Sequence, residues 1–182
     1  MDDEIYSAKS RKLKERPILI VLGEFQYRPQ QWKLFDSGEL RKRWAENYPD
    51  IFDERDIRTA NNQSGTNGMR YHFHEWLAAV LIFNTYGYYS LIESYEYAIQ
   101  ARKRKIIERI LPHDVLSLVT NHRASFGAVQ CPDLFTYSPD ESDWFFCEVK
   151  GPKDKLREKP KRFFEELARV SGKEIRLVQF RS

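Results

Sequence analysis

The chain has 182 residues, of which 41% are hydrophobic and 31% charged, and its formal net charge is +3. That length suits one domain with a sizeable core, and the composition excludes a disordered chain. No apolar run approaches the roughly 20 residues that cross a bilayer, and the first residues lack the shape of a signal peptide, so an intracellular protein, cytoplasmic or nucleoid-associated and with no membrane partner, is expected.

Taken in order, the polar residues that follow Met1 read as a loose tail, and RPILIVL (16–22) as a strand or as padding for the main core. A helix is predicted over 37–48, starting at Ser37 and stopped by the stretch around Pro49. NNQSGTNG (61–68) holds nothing that could fill a core and reads as a loop. The boundary between an N-terminal extension, 1–68, and a main domain, 69–182, is placed there. YHFHEWLAAVLIFNTYG (71–87) reads as a helix apolar on most sides and closed by Gly87. YYSLIES follows as a strand. A second helix is predicted over 96–110, with Ile99, Ile106, Ile107 and Ile110 inward and the basic run Arg102, Lys103, Arg104 and Lys105 outward. Pro112 ends it, and HDVLSLVT reads as one further short helix.

DLFTY and DWFFCEVK are apolar segments separated by the turn-like SPDES, which predicts adjacent antiparallel strands. Gly151 and Pro152 end the second, a helix runs from about Glu158 to Val170, and EIRLVQF makes a last strand. The order helix, strand, helices, strand, strand, helix, strand predicts an α/β fold, a mixed sheet covered by helices. Cys131 and Cys147 cannot make a thiolate zinc site by themselves and read as small buried packing residues. From Lys150 to Ser182 eleven Lys and Arg stand against five Asp and Glu, a surplus that suits a polyanionic partner but that solvated helix faces also produce.

The chemistry concentrates in CPDLF and FFCEVKGP. On a strand Glu148 and Lys150 project from one face, roughly 7 Å apart, with Val149 on the other. Asp133 opens the preceding strand, so a turn at SPDES brings its carboxylate beside Glu148. Two such carboxylates repel unless a cation lies between them, and oxygen ligands of this kind suit Mg²⁺ or Mn²⁺. The plainer reading of Glu148 and Lys150 is a strand-edge ion pair.

This pattern, PD followed by EVK and then GPKDKL, resembles the PD-(D/E)XK nuclease superfamily, and its longer phrases are similar to the VRR-NUC branch. The resemblance covers roughly 70–180 and implies a restriction-endonuclease-like fold. It implies Asp133, Glu148 and the Val149 carbonyl as metal ligands, Glu75 as a further carboxylate from the helix that opens the fold, and Lys150 as the group that positions water and stabilises charge on the phosphate. Ala78, Ala79 and Ile82 put Glu75 on an inward face, although a glutamate near a helix N-terminus is also simply favoured by the dipole. The family's glutamine after GPxDxL is replaced here by Pro160, for which Lys159 or Lys161 is the nearest substitute.

The implied activity is metal-dependent phosphodiester hydrolysis of DNA, structured or branched, leaving a 5′-phosphate and a 3′-hydroxyl. Lys153, Lys155, Lys159 and Lys161, with Arg102, Lys103, Arg104 and Lys105, would grip phosphates. Two other readings stand beside it: a weakened nuclease fold kept as a DNA-binding subunit, and an RNA-processing nuclease. A homodimer is one use for residues 1–68. His72 and His74 lie two apart on a helix, so they cannot share one ion there and read as surface or core histidines.

Overall fold

The computed structural model of the protein describes residues 19–63, 72–154 and 158–181. The expected N-terminal tail lies outside them. Five strands form one mixed sheet: β1 (Leu19–Gln26), β2 (Tyr89–Ile92), β3 (Leu134–Tyr137), β4 (Trp144–Lys150) and β5 (Ile175–Arg181). Their spatial order is β1-β5-β4-β3-β2, with β1, β5 and β4 mutually parallel and β4, β3 and β2 antiparallel.

Alternation along the strands divides the core between the two faces. Leu134, Phe145, Cys147, Val149, Val178 and Phe180 point to one face, where they meet Phe73, Trp76 and Ile82. Phe135, Trp144, Phe146 and Ile175 point to the other, where Ile107, Val115, Val119, Phe163 and Leu167 cover them. Seven helices in the described residues flank the sheet: α1 (Pro29–Asp36), α2 (Glu39–Asn47), α3 (Glu54–Gln63), α4 (Phe73–Tyr86), α5 (Ala101–Ile110), α6 (His113–Phe126) and α7 (Glu158–Ser171).

The hairpin of β3 and β4 is as predicted, paired from Leu134↔Cys147 to Tyr137↔Trp144. Its SPDES turn is closed by Ser138 N–H donating to the Asp143 carbonyl at 2.8 Å. Gly87 caps α4 in the left-handed region, φ 75°, and donates to the Phe83 carbonyl.

Several expectations shift. Residues 61–63 of the predicted loop are the last turn of α3, and 64–68 lie outside the described residues. α1 was not foreseen; α2 starts at Glu39, because Gly38 at φ 88° turns the chain between the two helices. α6 runs 14 residues, longer than the short helix predicted. Ile99, expected inward, precedes α5 and is 67% exposed. The segment assigned to an extension contributes, from Leu19 onward, the edge strand β1 and three helices. Phe35, Trp44, Ile51 and Phe52 from it pack with Phe73 and Trp76 of α4 in a single core cluster, Phe52 and Trp76 stacked at 4.0 Å between ring centroids.

Candidate active site

The site forms where four chain segments meet at one end of the sheet. β4 ends there with Glu148 and Lys150, β3 begins there just after Asp133, β2 leaves there into Glu93, and α4 begins there with Glu75 in its first turn. Because β3 runs against β4, its start lies beside β4's finish, which is why residues fifteen apart become neighbours.

Asp133 accepts a hydrogen bond through Oδ2 from the Val149 backbone N–H at 2.7 Å, which fixes its carboxyl over the end of β4. Lys150 Nζ donates to Glu148 Oε1 at 2.5 Å. As the period-two pattern requires, Val149 turns to the opposite face and is buried in the core. The strand-edge ion pair therefore exists, but it stands inside a larger cluster. Glu148 is close enough to Asp133 for their carboxyls to interact directly, and Asp133 feels the charge of both Glu148 and Glu75.

The electrostatics follow from that crowding. Burial first, then the Glu148 and Glu75 charges, push the Asp133 carboxyl well above its ordinary value. Burial and then Glu93 raise Glu75 to about 7. Burial raises Glu148 against the pull of Lys150. Desolvation works to lower Lys150, but the Glu148 and Asp133 carboxylates outweigh it and its pKa is raised. Carboxyls that hold protons this tightly are short of positive charge, the situation a bound cation relieves. The donors are hard carboxylate oxygens, the type that suits Mg²⁺ or Mn²⁺, although among the described residues Glu75 comes within 4.8 Å ligand spacing of His72 and Glu93 and not of Asp133 and Glu148 together.

Sequence reasoning missed two members of the cluster. Glu93 follows β2 and is bonded to His72, the N-cap residue of α4; His72, Glu75 and Glu93 each bring a ligand atom within 4.8 Å of the others. His72 therefore belongs to the site's rim, whereas His74 packs behind it against the rings of Tyr27 and Phe180. Burial disfavours the charged His72 ring, yet Glu93 and then Glu75 outweigh it and raise its pKa. His72, Glu93 and the adjacent Ser94 all have positive φ, at 68°, 39° and 55°. Left-handed backbone at three non-glycine residues beside one another is strain concentrated at the site. A period-two or period-3.6 search does not register residues outside regular elements, so Glu93 left no signal beyond its carboxylate.

The turn after Lys150 is built to hold it. Gly151 N–H donates to Asp154 Oδ2 at 2.9 Å, and Gln179 of β5 donates to the carbonyls of Lys150 and Gly151. Pro160 sits in the first turn of α7.

Of the phosphate-gripping residues expected, Lys153 and Lys161 are exposed; Lys155 and the side chain of Lys159 lie outside the described residues. The basic run on α5 needs correction. Lys103 is buried at 2% exposure, paired with Asp56 of α3 at 2.5 Å and donating to the carbonyls of Ile92 and Glu93. Arg102 holds Asp53 and the carbonyls of Asp50 and Ile51. Arg104 holds Glu108 and the Glu96 carbonyl. Only Lys105 of the four points outward without such a role among the described residues. The cluster is spent on the fold because α5 must anchor α3 and the loop after β2, both rich in acceptors.

No family model, curated protein or solved structure matches the chain. Among the described residues no helix is long and apolar enough to cross a membrane.

Proposed function

We propose that the protein is a divalent-metal-dependent nuclease of PD-(D/E)XK type, close to the VRR-NUC pattern and with a restriction-endonuclease-like sheet. The observation that supports this reading is the placement of Asp133 beside Glu148 and its partner Lys150 at one end of the sheet, with the Glu75 charge felt by Asp133. Asp133 and Glu148, with the Val149 carbonyl and Glu75, would hold Mg²⁺ or Mn²⁺. When bound, the ion supplies Lewis-acid stabilisation of phosphoryl oxygens and lowers the pKa of water.

The chain's own groups do the rest. Lys150, its ammonium held by Glu148, would orient the water that attacks phosphorus, and its charge would stabilise the negative charge that builds on the phosphate. The bond to the 3′-oxygen breaks, leaving a 3′-hydroxyl and a 5′-phosphate. Glu148 keeps Lys150 charged and aimed, the Val149 N–H keeps Asp133 in place, and Gln179 and Asp154 hold the turn that follows. Lys153, after β4, and Lys161, on α7, are exposed and would supply phosphate contacts.

The test is cleavage of labelled flap, junction and linear DNA, with single-stranded RNA in parallel, in Mg²⁺ or Mn²⁺. Asp133→Asn and Lys150→Ala each reduce cleavage by about 10²–10³-fold. Cleavage that survives both substitutions overturns the reading; DNA binding with no cleavage by the unaltered chain favours the binding-subunit alternative, and preference for RNA favours an RNA-processing enzyme.

A further inference from the structure

Behind the acidic cluster lies a second group of ligand-type side chains that the nuclease reading does not use. Glu96 comes from the loop between β2 and α5, His122 from α6 and Cys131 from the approach to β3. All three are buried, and each brings one ligand atom within 4.8 Å of the others. Cys131 Sγ is 3.7 Å from His122 Nδ1.

The details point to a ligand more than to packing. Glu96 is only 6% exposed, and its Oε2 is buried with no hydrogen-bond partner among the described residues. A buried carboxylate oxygen left unpaired costs about 1–3 kcal/mol or more. Glu96 and Cys131 also line a pocket of about 120 Å³ that reaches Asp133, so solvent has access to the group. His122 Nε2 lies 3.1 Å from the Val129 carbonyl, the backbone partner that a metal-ligating histidine uses for its other ring nitrogen. Its Nδ1, on the Cys131 side, lies 2.7 Å from the Val119 carbonyl, toward which the Cys131 thiol is also directed at 3.8 Å. In a tetrahedral zinc site with bonds of about 2.0–2.3 Å the ligand atoms stand roughly 3.3–3.8 Å apart. The sulfur and nitrogen are already at that spacing, and a Glu96 carboxylate oxygen lies within 4.8 Å of both.

We infer that Glu96, His122 and Cys131 form a binding site for a borderline-soft divalent ion, Zn²⁺ or a similar transition metal, with a water from the adjoining pocket as fourth ligand. One thiolate, one imidazole and one carboxylate select such an ion over Mg²⁺, which prefers oxygen alone. On binding, the Cys131 thiol releases its proton to solvent, the Nδ1 proton passes to solvent or to Nε2, which donates to the Val129 carbonyl, and Nδ1 exchanges the Val119 carbonyl for the metal. The ion would tie α6 to the Cys131–Pro132–Asp133 segment, two residues from the acidic cluster, and so brace Asp133. This site stands independently of the nuclease reading, since it uses none of that reading's residues.

The experiment is titration of the full-length, reduced, chelator-treated chain with Co²⁺, followed by absorbance. The expected result is one thiolate-to-cobalt charge-transfer band saturating at one ion per chain and bleached by Zn²⁺. Cys131→Ser removes the band and Cys147→Ser keeps it; Glu96→Gln keeps the band but weakens binding by about tenfold or more. No oxygen-only site produces this band, so Mg²⁺ and Mn²⁺ binding at Asp133 and Glu148 cannot mimic it. Absence of the band in the unaltered chain, or its survival in Cys131→Ser, overturns the inference. Should Cys131→Ser fail to fold, a band unaffected by Glu96→Gln and by His122→Gln overturns it equally.

Discussion

Glu75 shows how a single side chain reports on the whole cluster. In the folded chain it holds its proton up to about 7, against an ordinary value of 4.5, because burial and then the Glu93 charge penalise its ionised form. A carboxyl raised in this way stabilises the folded state fully below its unfolded value and loses that contribution as pH rises through its folded one. In chelator, therefore, the melting temperature falls between about pH 4.5 and 7, and adding Mg²⁺ at neutral pH reverses the fall. Glu75→Gln flattens both responses in a thermal-shift series. Gly151 makes a second prediction. A Cβ there would lie 2.9 Å from both Asp154 Oδ2 and His74 Cε1, so Gly151→Ala costs about 1–3 kcal/mol in urea unfolding and slackens the turn behind Lys150. Asp133, Glu148 and Lys150 were legible because strand alternation and a short turn determine where such residues project. Glu93 was not, since its place depends on left-handed backbone that no periodicity encodes. The pairing of His72 with Glu93, 21 positions away, has no sequence signal either, since it joins two residues outside the regular pattern of α4 and β2.

The β3–β4 hairpin, α4, α7 and β5 could be read at nearly their observed bounds, since apolar residues recur with the right period and glycine or proline marks the ends. α5 is the instructive failure. Its charge pattern describes a solvated basic face, yet Lys103 turns inward to meet Asp56, a residue the sequence gives no reason to place nearby. Removing one partner of a buried pair leaves the other charge uncompensated. Lys103→Ala is accordingly expected to lower stability by about 3–5 kcal/mol, while a Lys103→Met, Asp56→Leu double substitution recovers most of it. Lys105→Ala, on the exposed side of the same helix, leaves the urea midpoint unchanged. Lys103 also donates to the Glu93 carbonyl, so Lys103→Ala loosens the segment that carries Glu93, visible as faster amide exchange around 92–96.

Across the molecule, the reading of 1–68 as an extension is tested by dissection. β1 pairs along its length with β5, and Phe35, Trp44, Ile51 and Phe52 fill the same core as α4. A fragment comprising 69–182 would leave β5 as an open edge and uncover Phe73, Trp76 and Phe180, so it should be insoluble or lack dispersed amide resonances, whereas the full chain gives a dispersed spectrum. Composition could not disclose this: the polar letters of 61–68 read as a linker, whereas the contacts that join the segments on either side are pairings between residues distant in sequence. The strand that opens the described chain lies against the one that finishes it, partners some 150 residues apart. While a ribosome is still extending the polypeptide, β4 lacks the neighbour that Gln179 belongs to, and nothing yet clasps the carbonyls after Lys150. Completion of the turn behind the acidic cluster is thereby timed to follow the emergence of β5, so partly made chains carry the motif's letters without the clasp that Gln179 provides.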